Sequence, residues 1–207
     1  MSRLNRTLAV ALTALSLVPA LARPVVAAAS AREVVQRMTD AALKVLRDES
    51  LSADDKLRRL EDIAATETDF DTMSRLVLGR NWSRFSPEQQ AEFVKQFKEH
   101  LKVTYGRNIE NYRNERVEVV GDRQEERDDW TVKTKILRGG GAADILVDYR
   151  LRKAGDTWRV IDIIIERVSL VANFRSQLQE LVTQGGPQKV LDVLRERNAR
   201  GEPLQKS

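Results

Sequence analysis

Cysteine is absent from the 207 residues, and histidine occurs once, at His100. Without thiols there is no disulfide staple, no cysteine nucleophile, no thiolate set for zinc and no lipoprotein acylation site. A single histidine leaves little from which to assemble a nucleophile beside its base. By helical periodicity His100 lies off the apolar stripe of its helix and is expected at the surface. Ser169 has no Gly-x-Ser-x-Gly context. Gly139–Gly141 joins two strand-like runs rather than opening a helix, so no phosphate-cradling loop is expected there. No clustered ligand set suggests a metal, and no cofactor is implied.

Proline and glycine are also sparse, with five and ten residues, and no Pro-rich linker, repeat or low-complexity segment divides the chain. The one long apolar run, Leu8 to Leu21, is too short and Ala-rich for a membrane span, which needs roughly 20 strongly apolar residues. It follows Arg3 and Arg6 and leads into Ala20–Leu21–Ala22 and Ala27–Ala28–Ala29, the order of a Sec-type signal peptide over residues 1–29. Cleavage after Ala22 and after Ala29 both fit. The formal charge of the whole chain is +4, but residues 1–29 carry Arg3, Arg6 and Arg23 and no acid, leaving +1 for the remainder. Aromatic residues make up 5%, and basic residues alternate with acids, so the basic stripe with aromatic platforms of a nucleic-acid-binding protein is missing.

The remaining residues suffice for one domain, 30–199, followed by a polar tail over 200–207 that reads as frayed. Val34, Val35, Met38, Ala42, Val45 and Leu46 share one helical stripe. Ser52 ahead of Asp54 and Asp55 starts a second helix with Leu57, Leu60, Ile63 and Ala64, and Phe70 to Val77 suggests a third, stopped at Gly79. Ser86–Pro87–Glu88 opens a long helix that carries Phe93, Phe97, Leu101, Tyr105, Ile109 and Tyr112 on one face. From Arg116 the period changes. Val117–Val120, Trp130–Arg138, Ala143–Arg152 and Thr157–Ile165 read as four strands of an antiparallel meander, with Ile145, Val147, Tyr149 and Leu151 on one side of the third. Helix returns through Val168, Val171, Phe174, Leu178 and Leu181 to Gly185–Gly186, and Pro187 starts a last short helix. Helices, then strands, then helices predict an α+β domain.

Trp158–Arg159–Val160–Ile161–Asp162–Ile163, then Glu166–Arg167–Val168–Ser169–Leu170–Val171 and Asn173–Phe174–Arg175–Ser176–Gln177–Leu178, resembles the signature of the MlaC family of periplasmic phospholipid-binding proteins, also known as toluene-tolerance proteins. Two other blocks agree: Phe70–Leu78 with Gly79 and Trp82, and Pro87 and Gln90 followed by Phe93, Phe97, Leu101 and Tyr105. The resemblance covers nearly all of the chain after the leader. Family members usually have glycine where Arg167 stands, tyrosine at Phe174 and phenylalanine at Leu178; Arg167 is expected to avoid backbone geometry that only glycine tolerates.

The resemblance implies helices covering a twisted four-stranded antiparallel sheet of NTF2-like architecture, with an internal apolar cavity for acyl chains. It implies a monomeric carrier of phospholipid, not an enzyme. Its partners would be an inner-membrane ABC transporter with an MCE-domain ring and an outer-membrane lipoprotein associated with porin; nucleic acid is not among them. The lining is expected from Ile145, Val147, Tyr149, Val160 and Ile164 on the sheet and from Trp82, Phe97, Leu101, Tyr105, Val168, Val171 and Phe174 on helices, with Arg175 meeting phosphate at the mouth. Two other readings stay open. An NTF2-like isomerase or dehydratase would use Asp148, Tyr149, Asp162 or Tyr112 inside the cavity, and a periplasmic chaperone would show an open apolar groove. The leader itself gives a direct expectation. N-terminal sequencing of the exported protein should begin between Arg23 and Arg32, and intact Met1 in a membrane fraction would make the segment an anchor.

Overall fold

Each α-helix starts at a residue whose side chain accepts from the first unpaired backbone N–H groups. Ser30 caps α1 (Ala31–Arg47) in a capping box with Glu33, and Ser52 caps α2 (Ala53–Glu67). Asp69 caps α3 (Phe70–Leu78), which stops at Gly79 with φ of 54°. A 3-10 helix over Gly79–Arg84 leads to Ser86, whose capping box with Gln89 and following Pro87 open α4 (Pro87–Tyr105). Ser169 caps α5 (Leu170–Arg200), which leaves helical geometry at Gly185 and Gly186 just before Pro187. That interruption is the one the sequence predicts. The computed structural model describes residues 29–106, 112 and 114–204. The leader and Ile109 therefore lie outside the described residues, and Tyr112 is not helical, so the aromatic stripe of α4 ends at Tyr105.

The strands β1 (Arg116–Gln124), β2 (Trp130–Leu137), β3 (Ile145–Ala154) and β4 (Thr157–Ile165) form the predicted antiparallel meander. A fifth strand, β5 (Val168–Ser169), pairs with the end of β4, so the sheet has five strands and not four. Two residues are too few to show an alternating pattern. The turn between β4 and β5 is Glu166–Arg167, with φ of 48° and 68°, the two left-handed residues that a tight hairpin requires. Arg167 therefore adopts a left-handed geometry that favours glycine but that other residues tolerate at a cost, because closure of β5 onto β4 imposes it. Val168 follows the turn and is 56% exposed, so it lies on a strand at the sheet edge and not on a buried helical face.

Register sorts the sheet into two faces. Thr134, Val147 and Ile165 align across β2, β3 and β4, as do Val132, Tyr149 and Ile163, and these face the helices. The neighbouring row of Lys133, Asp148 and Ile164 points away. Helices cover the inner face from two sides. Val34 and Val35 of α1 pack on Val132, Leu151 and Val160 at one end. At the other, α3, α4 and α5 form a closed core around Met73, Phe93, Phe97, Phe174, Leu178 and Leu194, against which Ile163 and Ile165 rest. Phe97 meets Phe174 edge-on at 5.2 Å between ring centroids and stacks on Phe93 at 5.7 Å.

His100 belongs to that core and not to the surface, with none of its area exposed. The residue departs from the apolar stripe because it serves as a polar tie. Its Nδ1 lies 2.8 Å from Asn198 Oδ1, and its Nε2 accepts from the Leu204 backbone N–H at 3.1 Å. Gly201–Leu204 is thereby turned back onto the helices, with Leu204 packed against the core. The accepting Nε2 leaves Nδ1 as the protonated nitrogen, which donates to Asn198. Burial pulls His100 below its ordinary 6.5, opposed by the Asn198 bond and reinforced by the nearby Arg197 cation.

Two expectations follow. Left-handed backbone costs a non-glycine residue roughly 1–2 kcal/mol, more than the roughly 0.5–1 kcal/mol that glycine loses in flexibility. Arg167→Gly should therefore raise the urea midpoint by an amount worth about 0.5–1 kcal/mol; a lower midpoint would show that the arginine side chain compensates its own strain. The lowered pKa of His100 has a defined sign. Below about pH 6.5 the unfolded chain takes up a proton that the native site refuses, so stability falls with falling pH by up to ~1.4 kcal/mol per unit. In denaturation series from about pH 7 to pH 5, the stability gap between wild type and His100→Asn should narrow as the pH drops. A gap that stays constant would contradict this linkage.

Candidate functional site

Between the two packed clusters the inner face of the sheet is covered but not filled. The C-terminal half of α1 contributes Ala42, Leu43 and Leu46, α2 contributes Leu60, and α4 ends there with Tyr105. Opposite them stand Val117 of β1, Ile136 of β2, Ile145, Val147 and Tyr149 of β3 and Ile165 of β4. Together they enclose a pocket of about 600 Å³, open at one side, where Tyr112, Glu115 and Arg138 border it. This volume sits within the roughly 300–1,000 Å³ range of small-molecule sites.

The local sequence explains the space. The apolar stripe of α1 is continuous, but only its first half, through Thr39, includes buried positions. Beyond Thr39, whose Oγ1 donates back to the Val35 carbonyl at 2.9 Å, the same stripe faces the pocket. No residue of α2 is buried. That helix is held instead by an Arg37–Glu67 ion pair to α1 at 3.3 Å, a Lys102–Glu61 ion pair to α4 at 3.0 Å, and the Lys56 ammonium on the Leu46 carbonyl at 2.8 Å. Gly106, after α4, lies close under Leu57, whose Cδ1 would stand 3.3 Å from a Cβ added there.

The pocket brings together Tyr105, Ile145, Val147 and Tyr149 of the residues singled out from the sequence. The others lie elsewhere. Phe97, Val171 and Phe174 are buried in the helical core, with Trp82 and Leu101 packed against it. Val160 belongs to the cluster beneath α1, Ile164 faces the outer side of the sheet, and Val168 is exposed at its edge. Arg175 is also displaced from its expected place. Its Nε donates to the Leu76 carbonyl at 2.9 Å, tying α5 to the end of α3 where a cation complements the helix terminus.

Tyr112, singled out as a candidate inside the cavity, borders its open side, but sequence reasoning did not find Leu43, Leu60, Ile136, Ile165, Glu115 or Arg138. Leu60, Ile136 and Ile165 each carried a helical or strand-period signal. Periodicity identifies an apolar face but does not say whether that face meets a neighbour or a void.

The chemistry of the lining is that of a container. Tyr149 is partly buried in the lining, where loss of solvent pushes its hydroxyl up to about 12, so it stays protonated at neutral pH. Burial also raises Tyr105. The carboxylates considered for an isomerase are outside. Asp148 faces the opposite side of the sheet. Asp162 is buried beside the start of α5, where it accepts from Ser169 Oγ at 2.6 Å and from the Val171 N–H at 3.1 Å. Among the described residues no group of three or more metal-ligating side chains occurs, and no helix is long and apolar enough to cross a membrane.

Comparison with known proteins agrees with this architecture. The family described as MlaC protein matches residues 36–196. Toluene tolerance protein ttg2D of Pseudomonas putida is 27% identical over 128 residues, 61% of this chain and 59% of that relative. The chain thus spans about three-fifths of the length of that curated relative. A phospholipid-binding protein from Ralstonia solanacearum, solved in complex with a phospholipid, aligns with a TM-score of 0.75 at 27% identity, over 84% of this chain and 99% of its own. With a family match across most of its length, and a sheet and helices that follow a solved phospholipid-binding protein, the chain belongs to the MlaC family.

Proposed function

We propose that this protein is a carrier that holds the acyl chains of a phospholipid in the pocket between α1, α2, α4 and the sheet. The observation that carries the reading is the lining itself: apolar side chains from three helices and four strands facing one another across about 600 Å³. The phospholipid bound by the Ralstonia relative supports it. A diacyl lipid exposes on the order of 30 methylenes, each worth about 0.8 kcal/mol in water. Unaided passage through an aqueous compartment is therefore negligible, and a carrier must shield the tails. The headgroup can remain in water, so no catalytic constellation is needed.

In this reading the leader exports the protein to the periplasm. There it shuttles phospholipid between an inner-membrane MCE-domain ABC transporter and an outer-membrane lipoprotein–porin complex, maintaining lipid asymmetry of the outer membrane. The covered sheet corresponds to an NTF2-like architecture whose internal cavity is reserved for cargo.

The test exploits the separation between pocket and core. Protein expressed with its leader should release roughly stoichiometric diacyl lipid on organic extraction, read by mass spectrometry. Val147→Glu introduces a carboxylate into the lining, where it draws water or takes a proton. That variant should melt near wild type and lose its lipid. Val171→Glu buries the same charge in the helical core and should cost several kcal/mol. Full lipid content in a stable Val147→Glu protein, or lipid-free wild type on repeated preparation, would defeat the reading.

A further inference from the structure

The rim of the pocket is built where β1 begins and β2 ends. Arg116 pairs with Leu137, which places Glu115 and Arg138 next to one another at the open side. Arg138 borders the pocket there and is oriented by its Nε, which donates to the Ala143 carbonyl at 2.7 Å. Arg47 reaches the same rim from the last turn of α1. Its Nε donates to the Tyr112 hydroxyl at 3.1 Å, and its Nη2 to the Glu115 carbonyl at 3.4 Å. Tyr112 and Glu115 both line the pocket. Each guanidinium is thus aimed by a neutral acceptor and keeps further N–H groups for a ligand.

These two arginines differ from many of their kind in the molecule. Arg32, Arg37, Arg152 and Arg195 all lie against Asp or Glu, whereas neither Arg47 nor Arg138 forms an ion pair among the described residues. Among the described residues that line the pocket, Glu115 is the one carboxylate and Arg138 the one cation; Arg47, which also borders a neighbouring groove with Asp40, Lys44 and Asp48, adds a second guanidinium at the rim of an apolar interior. That order, cation at the opening and hydrocarbon surface behind it, is the polarity of a phosphorylated lipid.

We propose that Arg47 and Arg138 form a clamp for an anionic phosphoester at the pocket mouth, so that cargo is selected by its phosphate as well as by its tails. This rests on the carrier reading above. Guanidinium groups suit the task because they bind phosphate oxygens through paired, charge-assisted N–H bonds and cannot be neutralised near neutral pH. The site assigns to Arg47 and Arg138 the phosphate contact that Arg175, tied to α3, does not make.

The experiment compares two lipids with identical fluorescent tails, phosphatidylglycerol and diacylglycerol, titrated into delipidated full-length protein after export. Wild type should bind the phosphatidylglycerol at least about tenfold more tightly, the size expected when one charge-assisted contact is lost. Arg47→Gln/Arg138→Gln should lose that preference while keeping its affinity for diacylglycerol and its melting temperature. The double Lys variant should restore part of the preference, and Lys95→Gln, an exposed charge removed from α4, should leave it intact. Equal binding of both lipids by wild type would overturn the clamp and leave the carrier standing; binding of neither would defeat both. A parallel loss of both lipids with a lowered melting temperature in the Gln and Lys variants alike would show that the arginines only hold the rim together. Inorganic phosphate supplies the last arm. Millimolar phosphate that bound the lipid-free protein through these arginines, yet failed to compete with phosphatidylglycerol, would make this a free-phosphate site and overturn the assignment.

Discussion

The inner face of the sheet is apolar and must be covered, yet its middle is not filled, and the rest of the molecule is arranged around that constraint. Ordinary packing would close helices onto strands until no void remained. Here closure happens at both ends. Val34 and Val35 lock α1 onto Val132, Leu151 and Val160, while the aromatic core of α3, α4 and α5 takes up Ile163 and Ile165. Between these anchors α1 continues as a rigid helix over open space, and α2 follows it without burying a residue. The pocket is what remains when two well-packed clusters hold a helix above a sheet at fixed height.

The anchors in turn depend on polar ties that would be hard to justify in an ordinary core. Asp162, on the outward row of β4, takes bonds from the cap and first turn of α5, which sets the direction in which that long helix leaves the sheet. Arg175 then fastens α5 to the last turn of α3. His100 fixes Asn198 and the returning chain at Leu204, closing the far end of the same helical layer. Buried polar groups that find all their partners specify one geometry, because any other leaves them unsatisfied. The helical core can thus hold its shape without help from the pocket beside it.

Much of this was legible beforehand. The caps at Ser52 and Ser86, the stop at Gly79, the break before Pro187 and the four long strands follow from local rules that operate within a few residues. What escaped was set at longer range. Strand β5 exists because a left-handed pair at Glu166–Arg167 folds two residues back onto β4, and a glycine-poor turn gives little warning of it. His100 looked like a surface residue because periodicity counts a polar side chain as outward; its partners, Asn198 and Leu204, lie about a hundred positions away. The same limit applied to the site. Val147 and Val171 are equally apolar and equally periodic, yet one meets the pocket and the other the packed core. Only the placement of the helices separates them.

That separation matters for a container more than for an enzyme. A catalytic site needs a few groups held at fixed distances, and strain there can be tolerated. A site for flexible chains needs an apolar surface whose loss of contact, when empty, does not propagate into unfolding. Leaving a void inside a packed core costs several kcal/mol because surrounding atoms lose contacts they cannot replace. The cost falls when the walls are open at one side and belong to elements stabilised elsewhere, as α1 is by its first half and the sheet by its ladders. Ion pairs, not buried side chains, hold α2 over the pocket, and such exposed pairs contribute little each, roughly 0–1 kcal/mol. Among the described α-helices α2 alone buries no residue, so the most weakly held helix covers the very region that cargo would fill under the proposed function.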